Sequence, residues 1–202
     1  MSRQNILVYI KQLNRPVFTT SEIIALSGKS PSTITQSLNY LQKQGLIIKV
    51  HRGIWAEADK CVSPYSIIPF LTPRHRAYVS FVSALHLHGI IEQIPQVITL
   101  ASTSHTSTVR TKIGTFTIHQ IAPQFFKGFD WYRGNGSFLI AQPEKALVDS
   151  LYLSAYKNKQ FGFFPEMSFP KAFSFARARK WARGISISSM RLYVEKKLIE
   201  LG

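Results

Sequence analysis

Acidic side chains are scarce in this sequence. Among 202 residues, 10 Asp+Glu stand against 25 Lys+Arg, a formal net charge of +15 with histidine neutral. So few carboxylates, with no paired-acid spacing, argue against two-metal chemistry and toward a polyanionic partner, either nucleic acid or an anionic membrane surface. Cysteine is almost missing: Cys61 stands alone, which excludes an intramolecular disulfide and any cysteine-based zinc site. No stretch reaches the ~18–20 apolar residues of a spanning helix, and Lys11 interrupts the apolar run near the start. Neither a membrane partner nor a signal peptide is expected, and a cytoplasmic location is. Internal repeats and low-complexity tracts are also lacking. What is present is a hydrophobic fraction of 45%, ample for a packed core in one large or two small domains.

The first sixty residues are heavily punctuated. Ile6, Ile10 and Leu13 recur at i, i+4 and i+7, so a helix over Asn5–Leu13 buries one stripe before Asn14-Arg15-Pro16 stops it. Thr19-Thr20-Ser21-Glu22 fits a capping box, followed by Ile23, Ile24 and Leu26 before Gly28. Ser30 as N-cap with Pro31 at the first helical position opens a third helix, which runs to Gly45. Leu46–Val50 and Ile54–Ala58 are β-prone runs around His51-Arg52-Gly53, a hairpin turn. Three helices and a hairpin in this order predict a winged helix-turn-helix over residues 1–58.

Pro64, Pro69 and Pro73 then predict a linker over 59–73. Residues 74–202 read as a mixed α/β domain, making the whole chain α+β. Its expected elements are a helix over Arg74–His88, strands near Gln96–Ala101, Thr115–Ile121 and Phe138–Ile140, a helix from Pro143, and two basic terminal helices. A hairpin turn is expected at Gly134-Asn135-Gly136.

The third helix carries the functional signal. At 100° per residue Ile34, Leu38 and Leu41 share one side, while Ser32, Thr33, Gln36, Asn39, Tyr40 and Lys43 share the other. That outer face is polar but almost uncharged, whereas a solvated helix usually carries Glu–Lys pairs; hydroxyls and amides suit base edges in a major groove. Lys29, Lys43, Lys49, His51 and Arg52 are placed to meet flanking phosphates, and Ser30 with the free amides of the first turn adds another phosphate contact. The competing readings are a helical packing module whose third helix faces water, and a winged domain for protein contacts. Lys+Arg number 8 and Asp+Glu 3 in residues 1–60, which favours DNA.

The remainder is basic as well, densest at Lys171, Arg177, Arg179, Lys180, Arg183 and Arg191, with Phe173, Phe175 and Trp181 between them. This is either a second polyanion surface or a solvated basic face over an aromatic core. Enzyme constellations are weak. His86, His88 and Glu92 lack a third well-placed ligand, Ser104-His105 lacks a nucleophile elbow, and Asp130, Glu144 and Lys145 only faintly suggest a nuclease. No catalytic residue, metal or cofactor is expected.

Three segments carry a resemblance: Gly45-Leu46-Ile47-Ile48-Lys49-Val50-His51-Arg52-Gly53-Ile54-Trp55, Tyr78 to Ile90, and Ala141-Gln142-Pro143-Glu144-Lys145-Ala146-Leu147-Val148-Asp149-Ser150-Leu151-Tyr152. Together they resemble the AbiEi family of antitoxins, the repressor half of type IV toxin–antitoxin systems related to abortive infection. The resemblance implies an amino-terminal domain that represses its own operon by binding inverted repeats in double-stranded promoter DNA. It further implies a second domain that opposes a nucleotidyltransferase-like toxin, with no catalysis by this chain. On matching positions it makes Ser32, Thr33, Gln36 and Lys43 recognition-helix contacts and Arg52 a wing contact. A regulator outside any toxin pair, with a ligand- or protein-binding second domain, is the alternative.

Overall fold

The structure, a computed structural model, describes residues 5–134, 138–155 and 165–202, so the turn expected at Gly134–Gly136 lies largely outside the described residues. It divides into two units, Met1–Leu71 with Arg110–Gly114, and Thr72–Val109 with Thr115–Gly202.

The first unit runs α1 (Ile6–Gln12), β1 (Val17–Thr19), α2 (Thr20–Ser27), α3 (Pro31–Lys43), β2 (Ile47–His51) and β3 (Ile54–Glu57). Its helix ends follow capping chemistry. The Asn5 side chain accepts the Leu7 amide at 3.2 Å. Thr19 Oγ1 accepts the Glu22 amide at 3.2 Å while the Glu22 carboxylate accepts the Thr19 amide at 2.8 Å, closing the expected capping box. Ser30 Oγ accepts the Thr33 amide at 3.2 Å, with Pro31 in the first turn where its missing N–H is not needed. Strand β1 is an addition to the expected elements; it pairs antiparallel with β3, Phe18 opposite Trp55. Three residues between Pro16 and a cap present no period that a sequence can display.

Ile6, Ile10, Ile23, Ile34, Leu38, Leu41, Ile47, Phe18 and Trp55 form one core. Burying each aliphatic contributes about 1.5–3 kcal/mol, enough to offset the modest helix propensity of the serines, threonines and asparagine in α3.

The stretch expected as a linker is structured. A 3-10 turn at Pro64–Ile67 continues into α4 (Ile68–Leu71), Ile67 and Ile68 are buried, and the Arg15 guanidinium lies 5.2 Å from the Phe70 ring centre. Pro64 sits in the first turn and starts this element rather than breaking it, which is why proline content misled.

The rest of the chain forms β4 (Ala77–Val79), α5 (Phe81–Leu87), β5 (Ile98–Ser102), β6 (Ser107–Thr111), β7 (Gly114–Gln120), β8 (Phe129–Trp131), β9 (Leu139–Ala141), α6 (Pro143–Ser154), α7 (Phe175–Ala182) and α8 (Ser188–Leu201), all in the second unit save the end of β6 and the first residue of β7, which fall in Arg110–Gly114. Sheet order is β6-β7-β5-β4-β9-β8. Strand β4 pairs antiparallel with β5 and parallel with β9, and β5 pairs parallel with β7, a mixed sheet as expected for an α/β domain.

The helix expected over Arg74–His88 is corrected. Ala77–Val79 is a central strand, and the chain turns into α5 through Phe81 at φ +57°. A bulky residue rarely adopts that angle; complete burial of Phe81 and its edge contact with His119 hold it there. Helix α6 is buried all round, including Glu144, Lys145, Asp149 and Ser150.

Candidate nucleic-acid interface

Helix α3 separates its two faces as the periodicity requires. Ile34, Leu38 and Leu41 are buried, and Ser32, Thr33, Gln36, Asn39, Tyr40 and Lys43 are exposed. Tyr40 is 62% exposed, a large ring that the core does not use. A cleft of about 810 Å³, lined partly by Lys29, Gln36, Ser37, Tyr40 and Gln44, runs beside this face.

Hydrogen bonding divides the polar face into two chemical kinds. Ser30 Oγ lies 3.0 Å from Ser32 Oγ and 2.8 Å from Thr33 Oγ1, so these three hydroxyls form a lattice over the helix start. Thr35 and Ser37 hydroxyls donate to the carbonyls of Pro31 and Thr33 one turn back, at 2.8 and 2.9 Å. The side chains of Gln36, Asn39 and Tyr40 have no intramolecular hydrogen bond among the described residues. The amides and phenol are the groups left to bond a partner, while the expected contacts Ser32 and Thr33 are partly spent on the cap.

The hairpin β2–β3 is tied to the helices. The Thr20 amide donates to the Gly53 carbonyl at 3.0 Å, and the Trp55 indole donates to Thr20 Oγ1 at 2.9 Å. Gly53 at φ +73° makes the turn possible, and the register shifts between Lys49 and His51. Lys49 Nζ sits 5.5 Å from the Trp55 ring centre, a cation–π contact that holds the side chain beside the hairpin. Arg52 is exposed at the turn, and His51 and Lys29 are partly exposed.

Two of the three acids of this unit are paired with cations, and the third, Asp59, acts electrostatically on Lys11. Glu57 pairs with Lys11, and Glu22 pairs with Arg15. Partial burial pushes the Glu22 carboxyl upward, but the Thr19 amide, the Thr19 hydroxyl and Arg15 together hold it below its ordinary value. Lys43, Lys49 and Arg52 make no ion pair among the described residues. Sequence reasoning missed two further cations. Arg110 and Lys112 are exposed in the Arg110–Gly114 segment of this unit, and the Lys112 amide donates to the Val50 carbonyl at 3.1 Å. Sixty residues of separation hide that placement from any local pattern.

In the second unit, Lys171, Arg177, Arg179, Lys180 and Arg183 are exposed on or beside α7, whereas Arg191 is only partly exposed on α8. The residues that faintly suggested a nuclease are structural. Lys145 ion-pairs with Asp149 and donates to Tyr78 Oη at 3.2 Å; Tyr78 Oη and Ser80 Oγ donate to Asp149 at 3.1 and 2.7 Å. The Lys145 ammonium also lies 3.8 Å from the Phe125 ring centre. Burial lowers the Lys145 pKa against the pull of Asp149, and burial with the Asp149 charge raises that of Tyr78. Glu144 accepts the Ser174 amide at 3.0 Å and pairs with Arg177 at 3.0 Å.

His86 and His88 face carbonyls of Ile91 and Ala141 at 3.3 and 2.7 Å, and no cluster of three metal-ligating side chains exists among the described residues. Ser104 Oγ bonds Ser102 Oγ, not His105. No described helix is long and apolar enough to cross a membrane.

Three helices, a capped third helix with an unsatisfied polar face, and a hairpin bearing cations define a winged-helix domain of the kind found in transcriptional regulators. Residues 5–58 match the sequence family described as transcriptional regulator, AbiEi antitoxin. This match covers the amino-terminal domain and agrees there with the resemblance carried by Gly45–Trp55. No curated protein matches the chain.

Proposed function

We propose that this protein is a DNA-binding autorepressor that serves as the antitoxin to a nucleotidyltransferase-like toxin. Helix α3 enters the major groove of promoter DNA, with Gln36, Asn39 and Tyr40 on base edges. Lys29, Ser30, Lys43, Lys49, His51 and Arg52 take flanking phosphates, and Ser32 and Thr33 contribute through hydroxyls already oriented by the cap. Inverted repeats are read by two copies of the chain. The observation that carries this reading is the face of α3, whose amide side chains lack intramolecular hydrogen bonds among the described residues while Glu22 and Glu57 pair with Arg15 and Lys11. The family of residues 5–58 supports the regulatory and antitoxin roles.

The test is an electrophoretic shift series with the chain's own promoter. A lost bidentate base contact costs about 1–3 kcal/mol, so Gln36→Ala with Asn39→Ala should weaken specific binding at least tenfold and leave binding to unrelated duplex nearly unchanged. Removing Lys43, Lys49 and Arg52 together should reduce the salt slope by about 2.7, at ~0.9 per neutralised phosphate. Unaltered promoter affinity in the first variant rules out the recognition role of α3. Rescue of growth on co-expression with a nucleotidyltransferase-like toxin checks the antitoxin role.

A further inference from the structure

The second unit carries a groove that the winged helix does not explain. Two cavities of about 550 and 340 Å³ share Gln142 and Arg177 in their walls, so one depression continues from the β8–β9 edge to α7. At one end stands Trp131, 57% exposed on edge strand β8, with Arg133 two residues on. At the other, Trp181 lines the wall with Lys127 and Lys180. Gly128 makes room for Trp181: a Cβ there would lie 2.9 Å from the indole, so the ring rests directly on backbone. Arg177, Lys180 and Trp181 stand at i, i+3 and i+4 on α7 and so face the depression together.

The electrostatics are one-sided. Lys127, Arg133 and Lys180 make no ion pair among the described residues. Of the two carboxylates in the walls, Glu144 is buried and occupied by Arg177 and the Ser174 amide, and Asp130 accepts the Trp131 amide at 2.8 Å. Cations alternating with accessible aromatic planes fit phosphates alternating with unstacked bases. A duplex hides its base faces and leaves such rings without a partner.

We propose that this groove binds a single-stranded polynucleotide, with phosphates on Lys127, Arg133, Arg177 and Lys180 and bases stacked on Trp131 and Trp181. The proposal is independent of the role assigned to α3. It turns the basic region around α7 into a defined site and adds three residues, Lys127, Trp131 and Arg133, from the sheet edge.

The test uses the full chain with fluorescein-labelled oligouridylate and oligothymidylate of about twelve nucleotides, within the ~4–16 that stacking folds occupy, and a duplex of equal length as competitor. Both single strands should bind and quench tryptophan fluorescence; a preference for the uridylate adds a 2′-hydroxyl contact, and equal binding limits recognition to base and phosphate. Trp131→Ala should weaken binding about tenfold, whereas Trp131→Phe keeps a stacking plane, retains most affinity and loses only the share of the quench that Trp131 gives, Trp181 keeping the rest. Arg133→Gln with Lys180→Gln should lower the salt slope by about 1.4, at ~0.7 per phosphate for single strands. Wild-type affinity in Trp131→Ala overturns the proposal, as does displacement of the single strand by duplex at equal concentration. Single-strand binding that disappears in Gln36→Ala and survives in the groove variants overturns it as well, whatever becomes of promoter recognition.

Discussion

Replacing Lys145 with methionine removes one charge from a fully buried pair and leaves its partner in place. In the native fold Asp149 is held by the Lys145 ammonium, Ser80 and Tyr78, and none of it is exposed. After the change, two neutral donors remain for a carboxylate that water cannot reach. Breaking a buried pair from one side costs about 3–5 kcal/mol, a large share of the ~5–15 kcal/mol that stabilises a typical domain. Methionine fills nearly the same volume and its sulfur can lie against Phe125, so the loss isolates the charge rather than a cavity. For a unit of this size the melting temperature should fall by roughly 10–20 °C. Adding Asp149→Asn removes the stranded charge and keeps an acceptor for Ser80 and Tyr78. The double variant should therefore be more stable than the summed single losses by about 2 kcal/mol. Urea unfolding followed by circular dichroism measures all four corners of the cycle. A loss under 1 kcal/mol in Lys145→Met, or strict additivity, would refute the reasoning that Lys145 and Asp149 act as one coupled buried pair.

Two further outcomes follow from single residues. Burial pushes the His119 imidazole down to about 4, while the unfolded chain titrates near 6.5. Between those values the unfolded chain binds more protons, so stability should fall by about 2–3 kcal/mol as pH drops from 6.5 to 4; His119→Leu should flatten that slope in urea titrations. Ser30→Ala removes the α3 cap and the anchor of the hydroxyl lattice, and thermal melts should show a loss of about 1 kcal/mol.

Where chemistry is local, the sequence displays it. The Thr19–Glu22 box, the Ser30-Pro31 start and the glycine after α2 each act within four residues, and each appears in the structure as expected. The buried stripe of α3 was legible for the same reason, because periodicity in one helix needs no knowledge of its neighbours. Elements built on distant partners escaped. Strands β1, β4 and β8 have three residues each and exist because β3, β5 and β9 pair with them. Ala77–Val79 has no pattern that forbids a helix; its fate is decided by Leu100 and Ala101 across the ladder and by the corner at Phe81.

Side-chain identity also overstated the free polar groups of α3 in one respect and understated the second unit's groove in another. Counting serine and threonine hydroxyls as readers of DNA ignores that a hydroxyl in a helix bonds its own backbone one turn back, as Thr35 and Ser37 do, or its neighbours at the cap, as Ser30, Ser32 and Thr33 do. The Gln36 and Asn39 side chains on the same face make no such bonds among the described residues, so the proposed reading rests more on them than on the hydroxyls. On the other side, Trp131 and Arg133 gave no helical or alternating signal, one ending a three-residue strand and the other lying two residues past it. They acquire meaning only when Arg177, more than forty residues later, closes the same groove. Composition therefore displays the excess of cations, whereas its distribution between the α3 face and the groove beside α7 depends on which cations the fold leaves without carboxylates.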